Sequence, residues 1–118
     1  MIVQRIKSPV KDKYRKAEKY YSLLSAVNDL NLTTREIQLI AFTAIRGNMS
    51  YANIREDFCK EFNSTSPTIN NIISKLKRME VLIKDNGKIK VNPRILLDFE
   101  QDIQIEIKLI GDNDGKAS

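Results

Sequence analysis

The sequence predicts a mainly α domain of the α+β type: four helices, then a small β-hairpin and a further C-terminal strand. Three observations carry that expectation. Apolar residues recur at helical spacing in four separate segments, each preceded by a residue that caps helices well. Asn86-Gly87 stands between two short runs, 81–84 and 88–91, and Asn-Gly in that setting is a strong hairpin signal. Residues 103–110 alternate between apolar and polar, the period of a strand with one buried face.

The elements follow in order. Residues 1–11 read as an extended arm, with Pro9 breaking any helix there. Asp12 caps a first helix whose inward stripe is Ala17, Tyr20, Tyr21, Leu24 and Val27, and the stretch 28–31 ends it. Thr33 and Glu36 fit a capping box. The helix behind them runs to about Arg46 and stops at Gly47. Its residues Ile37, Leu39, Ile40, Ala41, Phe42, Ala44 and Ile45 leave little polar face, which marks it as the spine of the core. Ser50 is expected to cap a third helix, from Tyr51 to about Phe62, with Ile54, Phe58 and Phe62 inward. Asn63 suits the left-handed backbone of a tight turn between helices. Ser66 as cap and Pro67 at the first helical position open a fourth helix, 67–79, with the stripe Ile69, Ile72, Ile73, Leu76 and Met79. The hairpin 81–91 follows, closed by Asn92-Pro93, and the last residues from Gly111 read as a loose tail.

A chain of 118 residues fits one domain, and its 42% hydrophobic and 30% charged residues are ordinary for a globular protein. The longest nearly apolar run, 39–45, is far short of the ~20 residues that span a bilayer. Gln4, Arg5 and Lys7 interrupt any secretory leader at the N-terminus, so a cytoplasmic location, or the interior of a virion, is expected. One cysteine, Cys59, and no histidine exclude an internal disulfide, a Cys/His zinc finger and histidine-based triads. The glycines stand alone, so no phosphate-cradling loop is present. No enzyme, cofactor or metal site is therefore expected. Cys59 and the tyrosines Tyr14, Tyr20 and Tyr21 read as core filling.

The net charge of +5 is unevenly placed. Residues 1–20 hold seven Lys/Arg against two acids, and residues 66–94 likewise seven against two. Residues 21–65 are near neutral, with four against five, and residues 95–118 are acidic, with two against six. A basic segment suits a phosphate backbone. With the isoleucine stripe turned inward, the fourth helix offers Thr68, Asn70, Asn71, Ser74, Lys75, Lys77 and Arg78 outward. Asparagine bridges adenine N6 and N7, and serine and threonine serve several base edges, so Thr68, Asn70, Asn71 and Ser74 are candidate base readers. Lys75, Lys77 and Arg78, with Lys84, Lys88 and Lys90 of the hairpin, are candidate phosphate contacts.

Helix, short turn with Asn63, capped helix and hairpin is an order that resembles the winged helix-turn-helix superfamily over residues 32–93. The run LTTREIQLIAFTAI resembles the first helix of many bacterial regulators. SPTINNIISKLKRMEVLIKDNGKIKVNP resembles the recognition helix and wing of MarR-like regulators, with Glu80 at a hinge position where glycine is often found. The overall texture resembles small proteins of low-GC bacteria and their phages. The resemblance implies a winged helix-turn-helix domain over 12–99, with the helix-turn-helix about 50–79 and the wing 81–91, flanked by the arm 1–11 and the strand and tail 100–118. It further implies a DNA-binding transcriptional regulator or replication-type factor, with helix 67–79 in the major groove of double-stranded DNA and the wing on the backbone. The alternative is a structural or adaptor module, such as a phage virion or connector component, whose winged-helix surface meets protein. An alternating strand at 103–110 needs a partner, which is the hairpin, residues 1–7 or another copy of the protein, and a homodimer or larger assembly through that segment is expected. No membrane partner is expected.

Overall fold

The computed structural model describes residues 12–108, 110 and 111. The expected arm 1–11 and tail 112–118 lie outside these residues. The chain is mainly helical, with four helices and one two-stranded antiparallel sheet among the described residues.

Helix α1 spans Lys13–Val27. The Asp12 carboxylate accepts from the Tyr14 N–H at 2.7 Å, satisfying one of the orphan donors of the first turn. Its inward face buries Ala17, Tyr21 and Ser25. The Ser25 hydroxyl accepts from the Leu32 N–H at 3.2 Å and so helps fix the connection to the next helix. Asp29 and Asn31 take positive φ in that connection.

Helix α2, Thr34–Arg46, is the spine the sequence predicts. The Thr33 hydroxyl accepts from Glu36 N at 3.2 Å, and the Glu36 carboxylate accepts from Thr33 N at 2.8 Å, completing the capping box. Gly47 ends the helix at φ 95°, a left-handed conformation that glycine takes without steric cost. Leu39, Ile40, Ala41 and Thr43 are fully enclosed, and α2 packs against α1, α3 and the hairpin.

Helices α3, Ala52–Phe62, and α4, Ser66–Arg78, join through Asn63 at φ 52° and ψ 53°. The Arg35 guanidinium donates to the Phe62 carbonyl, placing a cation at the C-terminal end of α3, where the helix dipole favours it. Two expected caps differ. Tyr51, not Ser50, stands at the start of α3 and makes no side-chain cap bond. The Ser50 hydroxyl instead accepts from the Ile89 N–H at 2.7 Å, a longer-range bond that removes it from capping. Likewise Thr65, not Ser66, flanks α4, and its hydroxyl pairs with that of Thr68 at 3.0 Å. Met79 is the C-cap rather than the last helical residue.

The strands are β1, Leu82–Asp85, and β2, Lys88–Val91, paired Leu82↔Val91, Ile83↔Lys90, Lys84↔Ile89 and Asp85↔Lys88. Asn86 and Gly87 form the two-residue turn, both at positive φ (51° and 75°), as a type I′ turn requires. Glu80, at φ 61°, turns the chain from α4 into β1, the backbone region its hinge position demands. The Met49 N–H donates to the Ile89 carbonyl at 2.9 Å, so the loop between α2 and α3 runs beside β2.

One core gathers Ile69, Ile73 and Leu76 of α4, Phe58 of α3, Leu39 and Ile40 of α2, Tyr21 of α1, and Leu82 and Val91 of the hairpin. Cys59 is half-buried against it, and so is Tyr14. Phe99 is also buried, with ring centroids 5.8 Å from both Tyr20 and Tyr21. Tyr21 donates its hydroxyl proton to the Ile95 carbonyl at 2.8 Å. The segment after β2 is thereby laid along α1, where Lys13 meets Glu100 at 3.4 Å and Lys16 meets Asp102 at 3.8 Å. The expected strand at 103–110 does not form among the described residues, since residues 103–108 pair with no other strand. Alternation supplies an apolar edge but not a partner, and the hairpin edge beside β2 is taken by the loop at Met49.

Candidate nucleic-acid interface

Helix α4 buries Ile69, Ile72, Ile73 and Leu76, so the 3.6-residue period sets the opposite face outward. Thr68, Asn70, Asn71, Ser74, Lys77 and Arg78 are exposed there. The helix contains no carboxylate. Its centre line is Asn71, Ser74 and Arg78, spaced i, i+3, i+7. None of these three, and not Lys77, has a side-chain hydrogen bond or ion pair among the described residues.

The two flanks of the face are engaged. On one, the Lys75 ammonium lies 2.8 Å from Glu36 Oε2, and the Glu36 side chain keeps only 9% of its surface exposed. Burial by itself raises the Glu36 carboxyl. The Lys75 ammonium and the Thr33 backbone and hydroxyl outweigh it and hold the carboxyl below its ordinary range. Lys75 is thus a partner of the α2 cap and is only half-exposed, unlike Lys77 and Arg78. On the other flank, Asn70 Oδ1 accepts from Arg55 Nη1 at 2.6 Å, while Arg55 Nε donates to the Met49 carbonyl at 2.9 Å. Arg55 therefore ties α3, α4 and the loop beside β2 together. It was not singled out in the sequence, where it is one more cation on a mixed-charge helix next to the inward Ile54.

The hairpin divides its three lysines. Register places Lys88 and Lys90 on one face of the ribbon and Lys84 on the other, beside Ile89. Lys88 sits over the ring of Tyr51, 5.3 Å from its centroid, and Tyr51 is an exposed aromatic at the start of α3. Lys90 approaches Asp85 at 3.6 Å, a surface pair that holds the side chain only weakly. Lys84 is exposed and has no side-chain partner among the described residues. The structure thus brings Asn71, Ser74, Lys77 and Arg78 together on one helix face. It ties Asn70 and Lys75 to neighbouring helices, couples Thr68 to Thr65, and sets Lys84 apart from Lys88 and Lys90.

The remaining cations of α1 behave differently. Lys13 and Lys16 face the acids of the C-terminal segment, and Arg15 pairs with Glu18 at 3.8 Å. No helix among the described residues is long and apolar enough to cross a membrane. No group of three or more Cys, Asp or Glu side chains among them is placed to hold a metal ion. No family model matches the chain, and neither a curated protein nor a solved structure matches it.

Proposed function

We propose that this chain is a winged helix-turn-helix protein that binds double-stranded DNA, with α4 in the major groove and the hairpin as a wing on the adjacent backbone. The observation that carries the reading is the outward face of α4. It is free of carboxylates and presents Asn71 and Ser74 beside Lys77 and Arg78, two cations with no partner among the described residues. The order α2, loop at Met49, α3, α4, β1, β2 supports it. So does the bond from Met49 N to the Ile89 carbonyl, which sets the loop alongside the hairpin as a third strand-like edge. In a helix-turn-helix the second helix enters the major groove and the first crosses the backbone.

Within this reading Asn71 and Ser74 meet base edges, and Lys77, Arg78, Lys88 and Lys90 meet phosphates. Asn70 is oriented by Arg55, and any base contact it makes brings the arginine close to the groove with it. Lys75 stays with Glu36. A transcriptional regulator or replication-type factor is the class of protein such a surface serves.

Fluorescence anisotropy of a labelled mixed-sequence duplex, titrated with the protein at rising salt, tests the proposal. Four phosphate contacts give a log–log salt slope of roughly −3 to −4, at about 0.9 per contact. Absence of binding at low salt contradicts it. A structural or adaptor role is the second reading, favoured by the apolar side chains that Leu96, Leu97, Ile105 and Ile107 expose after the hairpin.

A further inference from the structure

The segment after Phe99 is held on α1 at its start and, among the described residues, pairs with no strand beyond. Phe99 is buried, Lys16 Nζ donates to the Gln101 carbonyl at 3.1 Å, and Ile103 is half-buried against the core. From Gln104 to Lys108 every residue is exposed, with Ile105 at 43% and Ile107 at 48%, and Ile110 reaches 78%. Glu106 and Lys108 form no ion pair among the described residues. Alternating isoleucines on an exposed extended segment are a template for strand pairing.

We infer that the segment beginning at Ile103 pairs antiparallel with the same segment of a second copy of this chain, in the register centred on Ile107, so that Glu106 faces the partner's Lys108. The charges choose both partner and register. In an antiparallel pair, opposite residues share a face, and directly opposed opposite charges stabilise while like charges destabilise. Centring on Ile107 sets Ile107 against its equivalent and creates two Glu–Lys pairs on the other face. Centring on Glu106 sets glutamate against glutamate. Centring on Ile105 sets Asp102 against Lys108 but leaves Glu106 opposite the neutral Gln104, so in that register Glu106→Lys would be silent, which separates it from the register centred on Ile107. A parallel, in-register pair sets like charge on like throughout. The contact is two-fold and self-complementary, so it closes at two copies. It does not depend on the DNA reading, because it uses neither α4 nor the hairpin.

Sedimentation velocity of the full chain over a wide concentration range tests the inference, using the native chain, Glu106→Lys, Lys108→Glu and the double swap. The native chain is expected to pass from monomer to dimer. Each single swap replaces two attractive pairs by two repulsive ones and weakens the dimer about tenfold or more, and the double swap restores it. Both side chains are exposed and uncommitted, so far-UV circular dichroism is expected to be unchanged in every variant. A strict monomer at high concentration, a species larger than a dimer, or single and double swaps that behave alike would each overturn the inference.

Discussion

Glu36 does two jobs with one carboxylate. Oε1 closes the capping box on Thr33 N, and Oε2 takes the Lys75 ammonium, which joins α2 to α4. Glutamine retains a capping oxygen but removes the charge, so Glu36→Gln isolates the ion pair. The Lys75 side chain keeps 39% of its surface exposed, so water screens the pair and its loss costs about 1 kcal/mol. The carboxyl titrates below its ordinary value of 4.5 in the folded state. Its stabilisation is therefore present above that value and is lost as pH falls through the lower folded one. Urea unfolding is expected to show native chain above Glu36→Gln at pH 7, with the gap closing as pH falls below the ordinary value of 4.5 and through the lower folded one. For the same reason Lys75→Glu is a stability variant: it sets a second carboxylate on an enclosed one. Glu80 offers the opposite case. At φ 61° its side chain is exposed and the backbone is costly for any residue but glycine. Glu80→Gly is expected to be neutral or to stabilise by up to about 1 kcal/mol, in contrast to the usual cost of an added glycine. A clear fall in unfolding midpoint contradicts that account.

Helix α4 holds the proposed interface because its inner stripe is fastened in the core. Ile69 and Leu76 are fully enclosed. Leu76→Ala is expected to lower unfolding free energy by about 2–5 kcal/mol, measured by denaturant titration. The stripe, the Thr33–Glu36 cap, the Asn63 turn and the Asn86-Gly87 hairpin were all legible in the sequence, because each is decided by residues within one or two turns of each other. What was not legible depended on distant partners. Ser50 looks like a cap until Ile89, far along the chain, takes its hydroxyl. Lys75 looks like another outward lysine until Glu36 is found beside it. Arg55 acquires its role only when Asn70 and the Met49 carbonyl come within reach. Residues 103–108 have the period of a strand, but period alone does not supply the neighbouring strand that makes one. Helical spacing did place the outer face of α4; it did not tell its free centre line from its occupied flanks.

Charge is sorted across the molecule. The basic start of α1 meets the acidic segment 100–102 within the chain, through Lys13–Glu100 and Lys16–Asp102. That pairing is an internal use for cations that composition alone assigns to an outside partner. The cations of α4 and the hairpin have no comparable internal acid, apart from the weak Lys90–Asp85 contact and the Lys75–Glu36 pair. Among the described residues the remaining positive charge therefore gathers on α4 and the hairpin, the face that the proposal sets against DNA. Glu100 and Asp102 lie beside α1, so on the proposed reading removing their charges is expected to affect DNA affinity less than any change at Lys77 or Arg78.

Lys77→Glu/Arg78→Glu, compared with the native chain on one labelled duplex at low salt, asks whether the α4 face is the DNA face. Both side chains are exposed and without a partner among the described residues, so the double variant is expected to stay folded, with the unfolding free energy lowered by about 1–2 kcal/mol because two acids then sit in the last turn of α4. The proposal predicts that its affinity falls about a hundredfold or more on every duplex tested, with the salt slope reduced by about 2, the share of two lost phosphate contacts. Unchanged affinity and slope in a folded variant would contradict it and show that the α4 face is not the DNA face.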